Sequence, residues 1–73
     1  MKFTIRNITV GQEKTIDEKY YSNMITLSIE TDNENIPAFS NDIEVICSND
    51  LTGFEVDELR QNEINNYINS LNK

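Results

Sequence analysis

The chain predicts a small α+β domain. An antiparallel sheet of three strands, or four if a short extra segment pairs, is followed by one C-terminal helix packed on one face. Three observations predict it. Residues Tyr20–Thr31 alternate apolar and polar side chains with a period of two. Residues Thr52–Glu55 carry a helix-start signature, and apolar residues at helical spacing follow it. The 73 residues give room for a single domain over 1–73, with connections between the later strands short enough for antiparallel pairing.

Phe3 to Val10 reads as the first strand. Phe3 and Ile5 share one face, whereas Ile8 and Val10 fall in the opposite phase. A period of two cannot place all four on one side. The strand therefore needs either a bulge near Asn7 or partial cover on both faces. Gly11 is expected to end it, and residues 11–19, polar except for Ile16, read as a surface loop.

The second strand, Tyr20–Thr31, directs Tyr21, Ile25, Leu27 and Ile29 to the core and Met24, Thr26, Ser28 and Glu30 outward. Asp32-Asn33-Glu34-Asn35 is a turn by composition. Ile36–Phe39 is the candidate extra strand, and Pro37, which has no N–H to donate, confines it to an edge. Ser40-Asn41 reads as a second break. Asp42–Ser48 is the next strand, with Ile43, Val45 and Cys47 inward and Asp42, Glu44, Ile46 and Ser48 outward.

The helix is expected from Gly53 to Leu71. Thr52 is its N-cap, Glu55 completes a capping box, and Leu51 and Val56 stand where a hydrophobic staple would close. Val56, Leu59, Ile64, Tyr67, Ile68 and Leu71 then lie on one half of the helical wheel.

Composition excludes several kinds of chemistry. The chain has no histidine, so Ser–His or Cys–His activation within one chain is ruled out. Cys47 is the single cysteine; it cannot form an intrachain disulfide, and no Cys/His set can hold zinc. The only glycines, Gly11 and Gly53, make no phosphate-cradling loop. The acidic turn at Asp32–Asn35 lacks the central Gly and the distal Glu of a calcium-binding loop. Met1–Arg6 alternates in polarity and lacks the apolar run of a signal peptide, and no stretch approaches the ~18 apolar residues of a membrane span. These features lead to the expectation of a cytoplasmic protein that is not an enzyme and needs no metal or cofactor.

The net charge of −7 is unevenly placed. Four cations face three carboxylates in residues 1–19, whereas from Tyr20 onward only Arg60 and Lys73 oppose ten carboxylates. Such charge opposes direct binding to nucleic acid or to an anionic membrane, and it favours a basic protein surface. The same charge also keeps a small protein in solution. Glu30 and Asp32 on one strand, and Asp42 and Glu44 on the next, are expected on the outward phase, with Glu34 in the turn beside them. Carboxylates two residues apart on a strand are separated by about 6.6–6.8 Å. That is about twice the 3.4 Å charge spacing along one strand of DNA. Met24 and Ile46 share this phase and would provide apolar anchors, and Glu55, Asp57 and Glu58 on the helix would extend the acidic field.

In size and acidity the chain resembles the small inhibitors carried by phages and other mobile elements, including anti-CRISPR and other DNA-mimic proteins. The resemblance is one of composition, with no shared motif. It implies a binding protein that docks on, and blocks, a basic surface that otherwise holds nucleic acid. The alternative expectation is a structural or assembly subunit acting through homo-oligomerisation, a homodimer joined by a strand edge or a helix face, because a core this thin leaves sheet edges open.

Overall fold

The computed structural model describes residues 1–73 in full. It contains β1 (Phe3–Thr15), β2 (Tyr20–Thr31), β3 (Phe39–Ser48) and α1 (Gly53–Leu71). The strands form one antiparallel sheet in the order β1-β2-β3, with α1 on one face. This is the α+β arrangement the alternation and the capping signature predict. No helix is long and apolar enough to cross a membrane.

β2 is central and pairs on both sides. Its odd-numbered side chains Ile25, Leu27 and Ile29 are completely buried, and Val45 and Cys47 of β3 join them from the neighbouring strand. Val56 and Ile64 of α1 close the core from above, and Leu51, Leu59, Tyr67, Ile68 and Leu71 pack around it. Leu51 and Val56 thus both reach the core from either side of the N-cap, as a hydrophobic staple requires. The helix covers the odd-numbered phase, so the even-numbered phase of β2 and β3 is left open.

β1 settles the phase conflict by bulging. Its register against β2 shifts between Ile5 and Asn7, leaving Arg6 as the extra residue. Beyond the shift, Ile8 stands opposite Leu27 and Val10 opposite Ile25. Phe3, Ile5, Ile8 and Val10 therefore all share the core face. Gly11 does not end the strand, which continues through a second shift between Val10 and Glu13 to Thr15. Gly11 has no left-handed backbone; its role is close approach, because a Cβ there would lie 3.2 Å from the Met24 carbonyl oxygen.

The expected loop over 11–19 shrinks to a turn. Asp17 builds it by accepting the N–H groups of Lys19 (2.7 Å) and Tyr20 (3.0 Å), while Ile16 and Asp17 donate to the Tyr20 carbonyl. β3 starts earlier than Ser40-Asn41 suggests. Ser40 pairs with Ser28 and Asn41 with Leu27, and Phe39 is drawn into the ladder opposite Ile29, its ring edge-on to Phe3 at 6.2 Å. Ile36–Ala38 form no fourth strand. At the far end of the helix, Asn72 clasps the start of β1: its amide accepts from the Phe3 N–H (2.7 Å) and donates to the Phe3 carbonyl (2.9 Å).

The capping box is complete. The Thr52 hydroxyl accepts from the Glu55 N–H (3.2 Å), and the Glu55 carboxylate accepts from the Thr52 N–H (3.1 Å) and hydroxyl (3.0 Å). These donors hold the Glu55 carboxyl below its ordinary range, the Thr52 backbone N–H contributing most. Thr52→Ala should cost about 1 kcal/mol of unfolding free energy in urea titrations at neutral pH. A carboxyl depressed in the folded state contributes stability above its unfolded pKa and loses it as pH falls through the folded value. The stability gap between wild type and Thr52→Ala should therefore narrow in the acid range, and Glu55→Gln should remove that narrowing; an unchanged gap from neutral to acid pH would contradict the assignment.

Candidate functional site

The open face of the sheet is assembled from even-numbered residues of β2 and β3. Met24 stands directly opposite Glu44, Thr26 opposite Asp42, and Ser22 opposite Ile46. Directly opposed Cβ atoms lie about 4.5–5.5 Å apart and diagonal ones somewhat farther. Met24 is thus bracketed by Asp42, Glu44 and Ile46 on the neighbouring strand. Tyr20, opposite Ser48, is the other diagonal neighbour of Ile46. Tyr20, Met24 and Ile46 form an apolar group around Ser22, each at least one-third exposed. The Tyr20 ring is the member that alternation places there without marking it as part of a cluster.

Asp42 is oriented by a 2.7 Å hydrogen bond from the Thr26 hydroxyl. Glu44, two residues on, is about 6.7 Å away along the strand, inside the ~8 Å screening length of physiological salt. The two carboxylates therefore act as one doubly charged feature. Glu30 lies on the same face but opposite Thr4 of β1, four residues beyond Asp42's partner Thr26. That is roughly 13 Å along the strand, so Glu30 acts as a separate charge. Neither β2 nor β3 carries a cation; Lys14, opposite Ser22, is the β1 cation bordering the apolar group.

The remaining acids go elsewhere. Asp32 lies past the end of β2, where its carboxylate accepts from the Lys2 N–H (2.9 Å) and from the Thr31 hydroxyl (3.4 Å). That backbone hydrogen bond is the main reason its carboxyl sits below the ordinary range. Asp32 ties the chain start to the end of β2, and its position follows from turn closure. Glu34 is in the turn, exposed, beyond the sheet face. Glu55, Asp57 and Glu58 belong to the helix, which packs on the opposite side of the sheet, so they do not extend this face. No group of three acidic, His or Cys side chains converges enough to hold a metal ion.

The second polar feature is inside. Asn23, in the core phase of β2, is 1% exposed. Its Oδ1 accepts from Arg60 Nε at 2.7 Å, and Arg60 Nη1 also reaches Asp57 at 3.1 Å. The Asn23 Nδ2 atom has no protein partner. Arg60 falls midway between Val56 and Ile64 on the core stripe of the helix, and it is the only cation between Lys19 and Lys73. A single polar residue inside an apolar strand phase, together with a single cation inside an apolar helix stripe, was the signal for this pair. Beside it, Glu13, Tyr21, Leu51, Gly53, Val56, Asp57 and Arg60 line an open cleft of about 240 Å³. Burial pushes the Tyr21 phenol above its ordinary range, helped by the neighbouring Cys47 thiol and Glu13 carboxylate.

Arg60→Ala should destabilise the fold by about 1–3 kcal/mol, because it leaves the buried Asn23 amide with no partner. The double variant Asn23→Leu/Arg60→Met should recover most of that loss, since removing both members of a buried polar pair is often neutral. Chemical denaturation of the single and double variants measures this; a double variant weaker than Arg60→Ala would refute it. Comparisons of the chain with protein-family models, with curated proteins and with solved structures found no match in any of the three.

Proposed function

We propose that the chain is a non-enzymatic binding module whose open sheet face docks on a basic protein surface, of the kind that otherwise holds nucleic acid, and blocks it. The observation that carries this reading is the pairing of Asp42 and Glu44 with Met24 and Ile46 on a sheet face that the helix leaves bare. Apolar side chains beside a doubly charged feature combine area to bury with a field that steers encounter. Glu30 extends the field toward the other end of the face, and the whole-chain charge of −7 repels nucleic acid itself. The fit is to an inhibitor of the phage or mobile-element type, working in a reducing, cytoplasmic compartment where the buried free thiol of Cys47 would persist.

Capture with the tagged chain from a cell lysate, followed by challenge with duplex DNA, tests the reading. The captured protein should be basic, should be released by the DNA, and should be lost at high salt, where exposed charge contacts are screened. Glu30→Lys/Asp42→Lys/Glu44→Lys should weaken capture about tenfold or more, chiefly through slower association. Undiminished affinity in a folded triple variant, or a partner that DNA does not displace, would sink the proposal.

A further inference from the structure

The two free edges of the sheet differ in what they offer a further strand. β3 is terminal in the order β1-β2-β3, and its ladder with β2 runs from Phe39 to Ser48 without a register shift. The Asn49 N–H, donating to the Lys19 carbonyl at 2.8 Å, continues that ladder and sets its phase. Odd-numbered residues of β3 therefore exchange hydrogen bonds with β2, and the N–H and C=O groups of Ser40, Asp42, Glu44 and Ile46 point to the free edge. All four residues are exposed, and no turn, cap or loop backbone bond engages these groups. β1, the other terminal strand, is interrupted by two register shifts, places Glu13 opposite Asn23 on the core face, and carries the cations Arg6 and Lys14. Bulges and inward-pointing charges keep a strand edge unpaired. β3 has neither, and its only charges, Asp42 and Glu44, have one sign and lie on the open face.

We infer that a basic extended segment of a partner protein adds to the sheet as a further strand, antiparallel to β3. Charge sets the occupant. In such a strand the residues opposite Asp42 and Glu44 are two apart and share the open face, so Lys or Arg there forms opposite-charge cross-strand pairs. β3 of a second copy carries no cation to supply them, and β1 of a second copy is closed by its bulges, so the segment comes from another protein.

On the core face, the intervening side chains of the added strand fall beside Ile43 and Val45. Glu13 lines the cleft on one flank of α1. The other flank, on the β3 side, carries Glu55, Glu58 and Leu59, which with Leu51 and Asn62 border a hollow of about 260 Å³. Leu51 and Leu59 are only partly buried, so apolar side chains entering under this flank extend the core. The segment recognised thus alternates basic and apolar residues. Backbone pairing holds it, and its two rows of side chains make the choice specific. The inference rests on the docking reading for the basic character of the partner and adds how that partner is held.

A capped synthetic peptide in which Lys and Val alternate, titrated into the purified, isotope-labelled chain, tests the inference. At saturation, hydrogen exchange followed by NMR should slow at the Asp42 and Glu44 amides, which face the edge. The same peptide N-methylated at its lysines, whose N–H groups face β3, should bind about tenfold or more weakly, through loss of backbone hydrogen bonds. N-methylation at the valines, whose N–H groups face away, should leave binding unchanged. Asp42→Asn/Glu44→Gln should weaken binding of the parent peptide and flatten its salt dependence. Equal binding of the two N-methylated peptides, or Asp42 and Glu44 amides that stay unprotected at saturation, would overturn strand addition. A parent peptide that does not bind would overturn it as well. In either case the docking reading stands or falls separately, on whether DNA displaces the basic protein captured from a lysate.

Discussion

The row of odd-numbered side chains on β2 is the constraint from which the other features follow. Ile25, Leu27 and Ile29 are wholly withdrawn from water, each worth about 1.5–3 kcal/mol when fully buried. A one-residue slip of β2 would expose all three and drive Met24, Thr26, Ser28 and Glu30 beneath the helix. The penalty would include burial of an unpaired carboxylate, so the register is fixed firmly. Because β2 pairs on both sides, it passes that register to β1 and β3, and the same decision determines which side chains the sheet presents to the outside.

β1 shows what a strand does when its sequence does not fit the register imposed on it. Phe3 and Ile5 are out of phase with Ile8 and Val10, and a bulge at Arg6 brings them back onto one face. The helix then covers only the first pair, since its C-terminal end is anchored at Phe3 through Asn72. Ile8 and Val10 are placed correctly for a core but receive no cover. The apolar surface left at this edge is a consequence of the bulge together with the position of a single helix.

Charge is partitioned by the same layering. From Tyr20 onward the one cation that lies within an element, Arg60, is engaged inside, on Asn23 and Asp57. Asp32 and Glu55 are engaged with backbone N–H groups that close a strand end and a helix start. The carboxylates left on the bare sheet face are Glu30, Asp42 and Glu44, and no β2 or β3 cation offsets them. The acids that close a strand end and a helix start are thus distinct from the acids presented on the sheet face, of which Asp42 is held by the Thr26 hydroxyl.

The sequence alone determined the features that depend on neighbours along the chain. The alternation of Tyr20–Thr31 and the capping box at Thr52 set β2 and α1 to their observed bounds, because strand phase and helix capping are local properties. The outward phase of Met24, Glu30, Asp42, Glu44 and Ile46 was legible for the same reason. Other features depended on contacts between distant parts of the chain. Gly11 and Ser40-Asn41 read as breaks, yet pairing with β2 carried both strands through them. Asp32 read as part of the face, yet the Lys2 backbone claimed it. Only the tertiary structure could decide that the helix covers the odd-numbered face, that Asn23 meets Arg60 across 37 residues, and that Ile8 and Val10 turn inward without cover, because each of these is fixed by packing between segments far apart in sequence.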